Sequence, residues 1–391
     1  MSANHEAEPT GNFINQLRDV RLKRGLTQQG LASKAGITRQ AVSSIESNLY
    51  LPTTAVALRL ASVLDCRVED LFSLTESAQT IEGELLGSLP TNHREAHPLR
   101  VKVAAIGLRT IVRPTSGLGD ILNYTVPADG YVVGLAGGGR TGNRVKVRLS
   151  CDRHSITREI SVAGCDPAIY LAGEHLRRHN DDTMVVGWTM GSMAALAALQ
   201  RGEVHVAGVH LFDPASGQSN LPFLRRLLKG SRYEVVTFAM WEEGFLVRPG
   251  NPKSLRTVAD LTDPAVSLVN REEGSGARLL LDQRLRAAGI DASRVHGYDR
   301  TVASHFEVAR AVIGRQADVG IGIRSAAELF GLDFVPLQSA RYDLVVPKLY
   351  LESHPTLSHL FETLSMRSFR TEIEALGGYD TRETGTSHSL R

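Results

Sequence analysis

The chain has 391 residues, a formal charge of +2, and is 42% apolar and 22% charged. That length exceeds what one ordinary core accommodates, so two or three domains are expected, and the apolar share excludes wholesale disorder. The small net charge excludes a polycation, so any nucleic-acid site must come from a local concentration of charge.

Cys66, Cys151 and Cys165 lie far apart and form no CxxC pair, which argues against a disulfide framework and fits a reducing compartment. The opening "MSANHEAEPTGN" has no basic segment followed by an apolar run, and no stretch approaches eighteen apolar residues. A cytoplasmic protein without a membrane partner is expected. Residues 1–12 and 378–391 are polar and aperiodic and read as tails.

From Phe13 the apolar positions Phe13, Leu17 and Val20 predict a first helix ended by Gly25. Thr27 then caps "TQQGLASKA", Gly36 breaks it, and Thr38 caps "TRQAVSSIE". Helix, glycine turn, helix is the geometry that lays a recognition helix in a major groove. Leu31, Ala32, Ile37, Val42 and Ile45 would form its core, leaving Arg39, Gln40, Ser43 and Ser44 to face DNA.

With "PTTAVALRLASVLDCRVEDLF", the stretch from Phe13 to Leu74 resembles the λ-repressor-like (Xre-type) helix-turn-helix family, and residues 13–75 are assigned to it. The resemblance implies double-stranded operator DNA as a partner, bound as a homodimer. It places Gln28 and Asn48 on phosphates, Arg39 and Gln40 on base edges, and Thr38, Ser43 and Ser44 along the groove. Arginine suits guanine and glutamine suits adenine through paired hydrogen bonds. Eight Lys and Arg against five Asp and Glu give the stretch a net charge of +3.

Residues 76–98 gather Gly83, Gly87, Pro90 and Pro98 and read as a linker. "RVKVAAIG", "TIVRP", "YVVGLAG" and "RVKVRLS" then predict a small β-rich unit over 99–157. Its "GLAGGGRTGNR" lacks the Gly-Lys-Ser/Thr ending of a phosphate loop and reads as a flexible hairpin. Of His154, His175, His179, His205 and His210, only His175 and His179, four apart on a predicted helix, stand at a ligand-like spacing, and nothing beside them completes a recognised metal motif. His175 and His179 therefore read as a solvated helix face, and neither a metal site nor a cofactor is expected.

From Arg158 strands alternate with helices: "REISVAGCD" leads into "PAIYLAGEHLRRH", "TMVVGWT" into "GSMAALAALQRG", and "VHVAGVHLFD" into "LPFLRRLLKG". A long strand, "TFAMWEEGFLV", interrupts the rhythm before βα units resume, which implies two lobes joined by hinge strands. "VNREEGSGARLLLDQRL" reads as a strand end, a glycine turn and a helix start. There the unpaired N–H groups and roughly half a positive charge would seat an anion.

Residues 158–377 resemble the type II periplasmic-binding-protein fold, and more closely the binding domain fused to helix-turn-helix regulators and molybdenum-cofactor proteins. "VAGCDPA", "NLPFLRRLL", "VRPGNPKS", "VNREEGSGARLLLD", "ARAVIGRQADVGIGI" and "RYDLVVP" carry the resemblance. It implies a multi-domain chain comprising an all-α helix-turn-helix domain, a small β-rich unit and an α/β two-lobed ligand domain. It also implies a molybdate or tungstate effector. Ser192, with Thr189 before it, would donate from one helix start; Ser275 and Gly276 lie at the opposite start, Ser304 at a third, Tyr342 on the return strand and Arg271 near the anion.

In "GCDPA", Cys165 and Asp166 stand where molybdate binders offer a serine. Asp166 either caps its helix or faces a ligand with a cationic or hydrogen-bond-donating group. Two functions are thereby implied: a one-component regulator sensing oxyanions, or one sensing a small organic acid or amino-acid-like molecule whose amine Asp166 or Asp213 would hold. A molybdenum-cofactor enzyme or carrier is a reading of another class. No nucleophile, base and orienting partner stand at suggestive spacing, so no catalytic residue is named.

Overall fold

The computed structural model describes residues 13–74, 79–87, 98–136, 143–179 and 183–390, and the chain divides into two compact units, 1–79 and 80–391. In the first unit, Thr27, Thr38 and Thr53 each accept a backbone N–H from the helix they precede, which fixes the starts of α2 (Gln28–Ala35), α3 (Arg39–Glu46) and α4 (Thr54–Leu64). Gly36, in the left-handed conformation, turns the chain between α2 and α3. Leu17, Leu31, Ala32, Val42, Ile45, Leu60 and Leu64 are buried together.

The first helix departs from the expectation. Phe13–Asn15 is a strand, β1, antiparallel to β2 (Phe72–Leu74), and α1 covers only Leu17–Lys23. The Gln16 N–H donates to the Leu71 carbonyl, so α5 (Val68–Leu71) and β2 hold the segment extended. That competing partner lies almost sixty residues away, outside any local periodicity.

In the second unit, β3 (Thr80–Leu85), β4 (Arg100–Ile106), β5 (Arg109–Pro114), β6 (Gly130–Leu135) and β7 (Arg144–Leu149) close a barrel. Thr80–Leu85 falls in the stretch read as linker, because its pairing with β7 begins at Thr80↔Arg148. Most of the glycine-rich "GLAGGGRTGNR" lies outside the described residues. The barrel also carries α6 (Asp120–Thr125). Lys102 ties the barrel to the chain beyond it, since its ammonium meets Asp129 and lies 2.7 Å from Glu159.

Past α7 (Arg153–Arg158) come β8 (Ile160–Gly164), α8 (Ile169–Arg177), β9 (Val185–Thr189), α9 (Ser192–Gln200) and β10 (Val206–Val209). A short hairpin, β11 (Phe212–Asp213) and β12 (Gln218–Ser219), and α10 (Leu221–Leu227) lead to β13 (Tyr233–Val247). The second lobe has β14 (Leu268–Arg271), α11 (Gly276–Ala287), β15 (Thr301–Val302), α12 (His305–Ile313), β16 (Val319–Ile323) and α13 (Arg324–Leu329), and β17 (Asp333–Pro347) returns. The sheet order is β15-β14-β16-β13-β17-β10-β8-β9.

β13 and β17, fifteen residues each, run antiparallel from Tyr233↔Pro347 to Val247↔Asp333. One half of the pair lies beside β10 and the other half beside β16, so these two strands are the hinge. Helices α14 (Lys348–Ser353), α15 (Leu357–Leu364) and α16 (Arg367–Glu374) then return to the first lobe.

The segment read as a C-terminal tail is ordered. β18 (Tyr379–Asp380) and β19 (Ser387–Leu390) pair with β13, because the first-lobe half of that strand offers a free edge. Nor is His175 on a solvated face. It is 3% exposed and 2.5 Å from Glu372, an acidic partner supplied by α16 from far along the chain. Among the described residues no helix is long and apolar enough to cross a membrane.

Candidate functional site

The surface expected to meet DNA is α3. Thr38 is its N-cap, Arg39 and Gln40 are exposed, and Ser43 and Ser44 are half-buried one turn on. Asn48 is exposed at φ 57° just past the helix, and its Oδ1 accepts from Asn15 Nδ2 at 2.9 Å. Gln28 donates to Glu46 Oε2 at 2.9 Å. Glu46 also takes Arg21 at 2.6 Å in a pair whose side chains are only 7% and 4% exposed. This network, absent from the sequence reading, locks α1, α2 and α3 into one block. The charged hydrogen bond from Arg21 lowers the Glu46 carboxyl against its burial.

In the second unit the helix starts of the two lobes face each other. Gly274, at φ 81°, makes the turn after β14, and its carbonyl accepts from Met193 N at the start of α9. Gly276 opens α11 against the His210 backbone and ring; a Cβ there would stand 2.1 Å from the His210 carbonyl oxygen. Only glycine permits that approach. Ser275 caps α11 by accepting from Arg278 N, and donates to the Glu272 carbonyl. Ser304 caps α12 through Glu307 N. The Ser192 hydroxyl, fully buried, accepts from His210 N at 3.0 Å. Thr189 is exposed at the end of β9, apart from this group.

Around this contact lies a concentration of buried polar atoms without hydrogen-bond partners: Asp166 Oδ2, His210 Nε2, Trp241 Nε1, Glu243 Oε1, Arg271 Nη1 and both His305 ring nitrogens. Buried polar groups are nearly always paired, so such a cluster marks a candidate site. Arg271 is 1% exposed; its Nε and Nη2 bind Glu272, and Nη2 also reaches the Ala303 carbonyl. Tyr342, buried, stacks on Trp241 with centroids 4.7 Å apart. Asp166 caps its turn at Ala168 N and takes the Tyr379 hydroxyl on the same oxygen, each at 2.9 Å. Burial raises the Asp166 carboxyl to about 6 despite those two bonds.

Burial alone would lower His210, but Cys165 and Glu243 beside it raise it to about 10. His305 is held well below its usual value by burial, with Arg271 and His210 adding to the effect. Sequence reasoning passed over His305, Trp241 and Glu243. It weighed His210 only by its neighbours in sequence and placed no role on Cys165. The available signal was position, since His210 follows the end of β10, and ligands of such sheets collect at the carboxyl ends of strands. Asp213, the other candidate amine holder, is occupied by its own turn through Ser216.

Residues 17–71 match the helix-turn-helix family HTH_3, and residues 173–365 match the family described as PBP superfamily domain. The uncharacterized protein YvgK of Bacillus subtilis (strain 168) is 32% identical over 226 residues, 58% of this chain and 72% of its own length. The uncharacterized HTH-type transcriptional regulator YgzD of the same organism is 34% identical over 62 residues, 16% of this chain and 94% of its own. An ABC-type phosphate transport receptor from Vibrio cholerae is a distant structural likeness, with 16% identity, a TM-score of 0.37, and coverage of 56% of this chain and 98% of that one. With a relative of that identity and coverage, and with both domain families matched in order, the chain belongs to the PBP-like family of YvgK and carries an Xre-type helix-turn-helix domain in front of it.

Proposed function

We propose that the chain is a one-component, cytoplasmic transcriptional regulator that binds a double-stranded operator as a homodimer and senses a compact oxyanion, molybdate or tungstate, between its lobes. The observation that carries this reading is the buried, unpartnered donor set of Arg271 Nη1, Trp241 Nε1 and the His305 ring beside two facing helix starts. Donors outnumber acceptors there, and helix starts favour negative charge. A helix-turn-helix domain joined to a PBP superfamily domain supports a regulator over an enzyme.

Asp166 Oδ2, a buried acceptor in the same cluster, favours a second reading. In it the effector is a small organic acid or amino-acid-like molecule whose cationic group meets Asp166. A cavity of about 540 Å³ is lined by Trp241, Tyr379, Asp380 and Arg382, and the hydroxyl of Tyr379 donates to that carboxyl.

Thermal unfolding of the full chain against molybdate, tungstate, sulfate, phosphate and a panel of amino acids decides between them. A ligand at a hundred times its dissociation constant adds about 2.7 kcal/mol of stability. A shift specific to molybdate or tungstate and lost in Arg271→Gln upholds the oxyanion reading. A shift with an amino acid alone, lost in Asp166→Asn, replaces it, and no shift with any of them refutes both.

A further inference from the structure

Three side chains with nitrogen or sulfur donors meet in the cleft from opposite lobes. Cys165 follows β8 and His210 follows β10 in the first lobe, whereas His305 begins α12 in the second. One donor atom from each lies within 4.8 Å of the other two, and the residues are 4%, 2% and 1% exposed. Cys165 is a free thiol whose Sγ is 3.5 Å from His210 Nδ1. Both His305 ring nitrogens lack a hydrogen-bond partner.

The far side of His210 is arranged as metal-binding histidines are. Its Nε2 lies 3.0 Å from Glu243 Oε1, though not aligned as a hydrogen bond, and Glu243 Oε2 accepts from Gln338 Nε2 at 2.9 Å. A carboxylate behind an imidazole fixes the ring and turns the other nitrogen toward the ion. Cys165, His210 and Glu243 also stand in the order of nucleophile, base and orienting acid. That reading gives His305 no work, and burial closes Cys165 to an acyl substrate.

We propose that Cys165, His210 and His305 together bind one borderline-soft d-block cation of the zinc class, with a fourth position left to a small ligand in the cleft. One thiolate and two imidazoles select such ions over magnesium or calcium, and three protein ligands with an open position are a common zinc arrangement. Bond lengths of about 2.0–2.3 Å put tetrahedral donors roughly 3.5 Å apart, so side-chain adjustments of about an ångström complete the site. With two ligands on one lobe and one on the other, the ion fastens the lobes in the closed form. The inference rests on the cleft being the ligand site, but not on the ligand being an oxyanion.

The test is a cobalt(II) titration of the full chain, reduced and stripped with chelator, followed by displacement with zinc(II). One equivalent should bind with tetrahedral d–d absorption and a thiolate-to-cobalt charge-transfer band. Cys165→Ser should lose that band while keeping its circular dichroism. Glu243→Gln should weaken binding about 10- to 100-fold, and His305→Gln by at least as much. Failure of the wild-type chain to bind cobalt or zinc stoichiometrically overturns the proposal, as does a spectrum unchanged in Cys165→Ser. Cobalt uptake without a molybdate response would sink the oxyanion reading alone; a molybdate response without cobalt uptake would sink this one alone.

Discussion

Replacing Asp166 by asparagine tests whether the cleft of the ligand-free protein stores unfavourable charge. Asp166 is 3% exposed, with one oxygen bonded to Ala168 N and the Tyr379 hydroxyl and the other without a partner. Burial raises its carboxyl to about 6, against about 3.9 in an unfolded chain. The folded protein therefore holds this proton more tightly. Its contribution to stability is full below about pH 4 and is lost as pH rises through about 6. Above that, ionisation in the fold costs about 3 kcal/mol, at about 1.4 kcal/mol for each tenfold change in proton affinity. Asparagine keeps the acceptor oxygen without the charge, so Asp166→Asn should be more stable at pH 8 by about 1–3 kcal/mol. That corresponds to roughly 1.5–5 °C in midpoint for a unit of this size. Melts of both proteins without effector, followed by circular dichroism at pH 4, 6 and 8, read it directly. A variant less stable at pH 8, or a difference that does not shrink toward pH 4, refutes the reasoning.

Other perturbations have equally definite outcomes. Gly276→Ala places a methyl group against the His210 carbonyl and ring, so the lobes should part; small-angle scattering should show a larger radius of gyration, and effector affinity should fall. Arg39→Ala and Gln40→Ala, exposed on α3, should each weaken binding to an operator selected from random DNA by about 1–3 kcal/mol in fluorescence anisotropy. Glu46→Ala strands the buried Arg21 guanidinium and should cost about 3–5 kcal/mol in denaturant unfolding of the first unit. His205, buried with His354 beside it and its Nε2 on the Ala105 carbonyl, is held down at about 3. Its unfolded form takes up a proton first, so stability should be full above about pH 6.5 and decline as pH falls; in His205→Gln that decline should be shallower by about one proton.

The first unit was legible in the sequence because its signals are local. Thr27, Thr38 and Gly36 each act within one turn of their own helix. Phe13–Asn15 was not, since the strand exists only through its pairing with Phe72–Leu74. In the second unit the strand and helix rhythm gave the two lobes and the hinge, whereas the terminal strand Ser387–Leu390 depends on an edge of β13 lying about 150 residues earlier. The cleft was half legible. Ser275 and Ser304 announce helix starts, and the structure uses both hydroxyls as caps. His210, Glu243 and His305 carry no shared periodicity and are brought together only by the order β16-β13-β17-β10 in the sheet.

That order also bears on how ligand binding reaches DNA. The closed lobes touch through Met193 N on the Gly274 carbonyl, through Gly276 on His210 and through Gln283 Nε2 on the Phe212 carbonyl, and orphaned polar atoms lie beside these contacts. A buried polar atom without a partner costs about 1–3 kcal/mol, and the cluster around His305 and Arg271 contains several. Closure without an effector is therefore opposed by the same groups that an effector would satisfy. A ligand shifts an equilibrium only by its differential affinity for the two forms. Here the difference is built in, because Arg271 and His305 belong to one lobe and Cys165 and His210 to the other, so the set converges only in the closed form. Turning a population from 1:99 to 99:1 takes about 5.5 kcal/mol, which a few charged hydrogen bonds of about 1.5–3 kcal/mol each can supply. Variants that remove a cleft donor should therefore lose the effector's influence on operator affinity while keeping the affinity of the ligand-free protein. Variants on α3 should do the reverse, and paired anisotropy titrations of Arg271→Gln and Arg39→Ala with and without effector separate the two. Equal loss of basal operator affinity in both would show that the cleft supports the fold of the DNA-binding unit and does not regulate it.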